Sequence, residues 1–163
     1  MFFSAATDRP VRRTISIART KNLDSCWTIN PEPILPATEQ VENSSLYFEQ
    51  TSQTWFLFTN HVGLDAFEYT DAVWVYWSKD PDRWNPAHKA VVLDGGNCSW
   101  SKHIIGLPSV LRVGDRLALF YDGNREPKMP GGVKSHMNRD IGLAWLRLPL
   151  TPPAHDTGSD ALE

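Results

Sequence analysis

The chain has 163 residues, the length of one ordinary domain, and its charges nearly balance at a net −3. Without a basic surplus it does not read as a nucleic-acid binder, and no apolar run approaches the roughly 20 residues that a membrane helix needs. A hydrophobic content of 41% with seven Trp excludes a disordered chain and promises a packed core.

The opening, Met1-Phe2-Phe3-Ser4-Ala5-Ala6-Thr7-Asp8, lacks the basic start and the apolar length of a secretory signal. Residues 1–13 read as a lead segment, and the chain as cytoplasmic, or as secreted if its natural front end is missing. Beyond it, short aromatic and β-branched runs punctuated by Pro and Gly predict strands at 14–18, 45–49, 55–59, 72–77, 90–93, 109–113, 117–121 and 141–146. The links 50–54 and 114–116 have the length and composition of hairpin connections. No stretch repeats its apolar residues at the helical period, so the expected class is all-β. Residues 151–163 are Pro-led and polar and read as a disordered tail. Cys26 and Cys98 have no metal-site spacing; they are either two free thiols or one bridge.

The strands repeat. Leu46-Tyr47-Phe48, a polar turn and Trp55-Phe56-Leu57-Phe58-Thr59-Asn60 resemble Val110-Leu111-Arg112, a turn and Leu117-Ala118-Leu119-Phe120-Tyr121-Asp122. Phe58 and Phe120 lie 62 residues apart, as do Asn60 and Asp122. Ile17-Ala18-Arg19-Thr20-Lys21-Asn22, ending at Trp27, echoes Tyr76-Trp77-Ser78-Lys79-Asp80, ending at Trp84. Such a unit is a four-stranded meander, strands A to D, with a period of roughly 60 residues, which predicts the blade of a β-propeller. Residues 14–35 would supply C and D of one blade, 42–93 a whole blade and 106–150 strands A to C of another. Propellers close with four or more blades, so this partial propeller of about two and a half is expected to be a piece of a longer protein or to close with a partner, such as a second copy.

In such a meander the start of A, the end of B, the start of C and the end of D share one rim. That rim collects Glu42, Asn43, Asn60, His61 and Asp71 from the complete blade. The connection 94–105 adds Trp100, Lys102 and His103, and the last blade adds Asp122, His136, Arg139 and Asp140. The Lys21-Asn22 and Lys79-Asp80 turns fall at the opposite rim and read as solvated. Carboxylates accept paired hydrogen bonds from sugar hydroxyls, and a flat aromatic covers the apolar face of a sugar ring. Hydrolysis of a glycosidic bond further needs two carboxyl groups across it, one of them held protonated.

These residues resemble a known group. Val41-Glu42-Asn43-Ser44-Ser45-Leu46-Tyr47-Phe48 with Trp55-Phe56-Leu57-Phe58 is similar to the blade-opening pattern of the five-bladed propeller glycoside hydrolases of the arabinanase, β-xylosidase, invertase and levansucrase types. Gly106-Leu107-Pro108-Ser109-Val110 with Leu119-Phe120-Tyr121-Asp122-Gly123 resembles another such opening, and Asp140-Ile141-Gly142-Leu143-Ala144 the strand C that follows. The resemblance spans roughly residues 14–150 and implies a carbohydrate-active protein that acts on a glycosidic bond. It implies Glu42 as the general acid, Asp71 and Asp140 as supporting carboxylates, and His61, His103 and Arg139 as substrate clamps, with Asn43, Trp100 and Asp122 also facing substrate. Two departures stand out. The position matching Glu42 in the next blade, 105 or 106, holds no acid, and the blade that carries the base or nucleophile in those enzymes has no counterpart. The second carboxylate would come from missing blades or a partner chain.

Plainer readings compete with each assignment. Glu42 could cap a loop, Asp71 could pair with a basic neighbour, His61 and His103 could be satisfied loop histidines, and Arg139 with Asp140 could be an internal salt bridge. Trp100 could pack between blades, as Trp55, Trp74, Trp77 and Trp145 do within strands. Met129-Pro130-Gly131-Gly132 reads as a rim loop and not a phosphate cradle, since no helix follows it. Gly-x-Ser-x-Gly is absent, and no metal or cofactor is expected. A propeller that binds sugar without cleaving it, or an inactive fragment, is the rival to the hydrolase.

Overall fold

The computed structural model describes residues 1–63, 70–125 and 138–153. Among them are ten strands: β1 (Phe2–Thr7), β2 (Arg12–Arg19), β3 (Thr28–Ile29), β4 (Val41–Glu49), β5 (Thr54–His61), β6 (Ala72–Ser78), β7 (Lys89–Asp94), β8 (Ile105–Val113), β9 (Arg116–Asn124) and β10 (Arg139–Arg147). A single 3-10 turn, Ala37–Glu39, is the one helical element of the described residues. The strands pair in three antiparallel sheets, β1-β2-β3, β4-β5-β6-β7 and β8-β9-β10. The all-β partial propeller expected from the sequence is thus present, and each predicted strand lies within an observed one.

The lead segment is a correction. Phe2–Thr7 pairs along β2 from Phe2 opposite Ile17 to Thr7 opposite Arg12. Since β2 and β6 end in matching turns, β1 takes the place that β5 holds in the second sheet. Sheets of three, four and three strands keep the total at two and a half blades' worth. The loop Met129-Pro130-Gly131-Gly132, His136 and all of the tail beyond residue 153 lie outside the described residues.

Alternation sets the packing. Phe56 and Phe58 of β5, with Val73, Val75 and Trp77 of β6, turn one face of the second sheet onto Ile105, Leu117, Leu119 and Tyr121 of the third. Leu57 and Tyr76 turn the opposite face onto Ile15 and Ile17 of the first sheet and onto Ile34 and Leu35. With both faces covered, β5 is a nearly continuous apolar run, each large side chain contributing roughly 1.5–3 kcal/mol of burial. Among the described residues the third sheet is covered on one face only. Its register places Leu111, Phe120, Ile141, Leu143 and Trp145 together on the other, each between 39% and 83% exposed.

The strands β4 and β8 open alike. Each carries a bulge near its start, between Glu42 and Ser45 and between Gly106 and Ser109, where Asn43 (φ 58°) and Leu107 (φ 47°) take the left-handed conformation. The bulge bends the strand and turns the residue before it toward the rim. Ser45 Oγ accepts from the Val110 amide at 2.9 Å, so the two opening strands are also joined side by side.

Candidate functional site

Because β4 starts where β5 ends and β6 starts, the second sheet brings Glu42, Asn43, Asn60, His61 and Asp71 to one end, as the sequence predicts. Glu42 lies opposite Asn60 in the ladder. Its partner across the sheet boundary is Arg13, whose Nη1 stands 3.1 Å from Oε2, with the two side chains 25–30% exposed. The general-acid role calls for a carboxyl free to meet the leaving oxygen, and Glu42 is instead engaged by a guanidinium. Arg13 sits at the start of the core face of β2, and nothing in its spacing from Glu42 marks it.

Asn43 and Asn60 form a strut rather than a free pair of amides. Asn60 is fully buried, and its Oδ1 accepts from Asn43 Nδ2 at 2.9 Å and from the Leu107 amide at 3.1 Å, tying the openings of β4 and β8 together. The Asn43 amide donates to Ser4 Oγ at 2.8 Å, which adds the first sheet to the same knot. Gly106 holds the position that corresponds to Glu42, opposite Asp122. A Cβ at Gly106 would stand 2.7 Å from Thr70 Oγ1 and 3.1 Å from its Cβ, so no acid can occupy this place without moving the buried Thr70.

His61 ends β5 on the face toward the first sheet. Its ring lies parallel to Trp74 at 4.4 Å between centroids, and its Nε2 is 2.8 Å from Tyr76 Oη. Tyr76 in turn donates to Glu39 Oε2 at 2.5 Å, and the Lys89 ammonium binds the same oxygen. Burial lowers the imidazole pKa below its usual range, the Lys89 charge adds to this, and Glu39 and Asp71 oppose it. For Glu39, burial raises the pKa, but hydrogen bonds from Lys89 and Tyr76 and the nearby cations outweigh it, so the carboxyl ends below its usual value. Burial first, and Glu39 beside it, push the Tyr76 hydroxyl well up. Asp71 is exposed at the entry to β6. Sequence reasoning named His61 and Asp71 but missed Glu39, Tyr76 and Lys89, which converge from three elements with no local spacing.

On the third sheet Asp122 and Arg139 meet each other. Arg139 Nη1 donates to both carboxylate oxygens at 2.9 and 2.7 Å, with the side chains only 10–13% exposed. The internal pair suggested for Arg139 with Asp140 is therefore corrected: Asp140 takes Arg125 Nε at 2.6 Å, on an exposed edge. Arg125 also covers Trp100, its Cζ 5.3 Å from the ring, and Trp100 stacks on Tyr121 at 5.8 Å. Trp100 is thus half-buried packing on the third sheet, with Gly123 bare beneath it, since a Cβ there would meet the indole at 2.8 Å. His103 is exposed in the connection before β8. Cys26 and Cys98 are separate free thiols, one exposed and one buried. Among the described residues no cluster of His, Cys, Asp and Glu could hold a metal ion. A cleft of about 620 Å³ lies at the opposite end of the second sheet among Trp77, Lys79, Arg83 and His88, and another of similar volume lies among Arg19, Lys21, Cys26 and Asn30.

No protein-family model matches the sequence, and no curated protein matches it either. Solved structures do. The GH43_1 enzyme from Xanthomonas citri, complexed with xylotriose, superposes with a TM-score of 0.53 at 14% identity over 74% of this chain and 33% of its own. An endo-1,4-β-xylanase from Bacteroides thetaiotaomicron gives a TM-score of 0.54 at 13% identity over 93% of this chain and 49% of its own. The RS223 β-xylosidase gives 0.51 at 10% identity, over 70% and 34%. At these identities the likeness is one of fold, and the chain spans between a third and a half of each of those structures. The fold is that of part of a five-bladed propeller, the fold of those neighbouring structures.

Proposed function

We propose that this chain is part of a carbohydrate-active propeller that acts on a glycosidic bond, with the sugar bound at the rim where β4 and β8 open. The observation that carries this reading is the gathering of Glu42, His61 and Asp71 at one end of a sheet whose fold is shared with glycosidases. Fold likeness alone does not assign chemistry, so the rim residues bear the argument. Glu42 is the proposed acid, and it can serve only if substrate binding draws Arg13 away from it. Asp71 and Asp140 support it, while His61, His103 and Arg139 orient hydroxyls. An attacking carboxylate or its water would be supplied from outside these three sheets, by further blades or by a second copy seated on the apolar face of β8–β10. An oligosaccharide is the expected ligand class, and xylotriose is the first probe because a structural neighbour holds it.

Two observations favour the rival, a propeller that binds sugar without turnover: the guanidinium on Glu42 and the bare Gly106 at the matching place. Isothermal titration with xylotriose, run beside a screen of nitrophenyl furanosides and pyranosides, separates the two. Release of nitrophenol that vanishes in Glu42→Gln, with the melting temperature unchanged, supports the hydrolase. Binding without release supports the rival. Neither signal, in the chain alone or in a completed propeller, would end both.

A further inference from the structure

We infer that Lys89, Glu39 and Tyr76 form a positioning chain that holds the imidazole proton of His61 on Nε2 and leaves Nδ1 as a fixed hydrogen-bond acceptor at the rim.

The argument is one of proton counting. Glu39 Oε2 receives both the Lys89 ammonium and the Tyr76 hydroxyl, and an oxygen that accepts from an ammonium as well as a hydroxyl favours the ionised, acceptor-only carboxylate. Tyr76 has a single proton, and the 2.5 Å contact commits it to Glu39. Its oxygen is then left with lone pairs alone, so the 2.8 Å contact with His61 requires the hydrogen to come from Nε2. The opposite polarity would need a protonated Glu39 directly beside an ammonium. A half-turn of the ring would keep it flat against Trp74, at an interplanar angle of 5°, but would set a carbon in place of Nε2 opposite the Tyr76 oxygen and forfeit that hydrogen bond. Lys89 also lies over the rings of Trp74 and Tyr76, at 5.9 and 5.8 Å, which anchors the far end of the chain to the same wall.

The charged groups that reach His61 are Lys89, Glu39 and Asp71. Among the described residues no side chain bonds to Nδ1, and the His61 side chain is 22% exposed. A partly buried network sets the tautomer on one side of the ring and leaves a lone pair on the other, as orienting partners do for ligating or catalytic histidines. On the proposed function, the matching ligand group is a sugar hydroxyl, which donates to Nδ1. That last step rests on the proposed function; the tautomer does not.

Long-range proton–nitrogen correlation of histidine-labelled protein near pH 8 reads the tautomer, with His61→Phe assigning the signal. The expected pattern is a protonated-type Nε2 and a pyridine-type Nδ1, with no averaging. In Glu39→Ala no carboxylate holds the Tyr76 hydroxyl, so it is free to turn to Nε2 and the proton is released toward Nδ1, moving or averaging the two shifts. Tyr76→Phe removes the relay and should give averaged shifts; it serves as the second variant if Glu39→Ala does not fold. A native ring that is averaged or protonated at Nδ1, or variants that leave the pattern unchanged, would overturn the inference. Xylotriose titration is the separate arm: His61→Phe keeps the stack on Trp74 and should weaken binding about tenfold, the loss of one hydrogen bond. Unaltered affinity beside the expected shifts would leave the relay standing and remove the sugar from His61.

Discussion

The second and third sheets both open with a bulged strand and a left-handed residue at the same place, yet they are finished differently. The second sheet is covered on both faces and carries Glu42 and a neutral buried Asn60 at its opening. The third is covered on one face and carries Gly106 and an ion-paired Asp122. The repeat therefore conserves backbone geometry and interface shape, while polar chemistry at the rim is chosen position by position. A rim residue in one blade does not predict the residue type at the same place in the next.

The largest expected effect breaks the comparison at Phe58 and Phe120, which are equivalent in the repeat but 1% and 39% exposed. Phe58→Ala should cost about 3–5 kcal/mol in urea unfolding, as a large cavity between sheets does. Phe120→Ala should cost under about 1 kcal/mol, since its side chain already meets solvent. Should the Phe120 variant lose as much as the Phe58 variant, the outer face of β8–β10 is covered in solution. Light scattering would then tell whether a second copy covers it.

Next come the two residues at the ends of β5 and β9. Asp122→Ala leaves the Arg139 guanidinium without its carboxylate on a site 10–13% exposed, which costs about 3–5 kcal/mol in fully buried pairs. Asn60→Ala strips an acceptor from the Leu107 amide and from Asn43, a loss of about 1–3 kcal/mol. Chemical denaturation of both variants tests whether the charged knot holds the third sheet harder than the neutral one holds the second. Equal losses would mean that Arg139 finds other support.

The opening positions are the third contrast. Gly106→Ala forces a Cβ to 2.7 Å from the buried Thr70 hydroxyl and should destabilise by about 1–3 kcal/mol. Glu42→Ala removes only a quarter-exposed ion pair, worth about 0.2–1 kcal/mol. Melting curves of the two decide whether the missing acid of the third sheet is excluded by packing, as Thr70 implies. A neutral Gly106→Ala would return the question to chemistry.

Much of this was legible in the sequence, and the parts that were not share a cause. The strands of the two interfaces announce themselves by short aromatic runs and turns, and the shared rim follows from antiparallel connection alone. Strand β1 was missed because Ser4-Ala5-Ala6-Thr7 lacks the bulky residues that mark its fellows; it is a strand because β2 needs a partner. Glu42, Asn43, Asn60, His61 and Asp71 do share one end of the second sheet, but the partners they meet there were not foreseen. Arg13 reaches Glu42 across 29 residues, and Lys89 reaches Glu39 across 50. Such pairs form between neighbouring sheets, where no spacing along the chain records them.

The smallest effect concerns the two faces of the second sheet. The face toward the first sheet carries His61, whose pKa is lowered from 6.5, chiefly by burial and then by Lys89. A depressed imidazole means that the unfolded chain takes up its proton first as the pH falls. The stability contributed by the neutral ring is therefore complete above about pH 6.5 and is lost as the pH drops through the folded value. Glu39 acts in a separate window, since its carboxyl lies below 4.5 and loses its contribution only under more acid conditions. Urea midpoints should thus decline as the pH falls below about 6.5, and His61→Gln should flatten that decline without altering the response of Phe58→Ala, which reports the opposite face. A decline that survives in His61→Gln would place the proton uptake elsewhere, and the asymmetry between the two faces would then be one of shape alone.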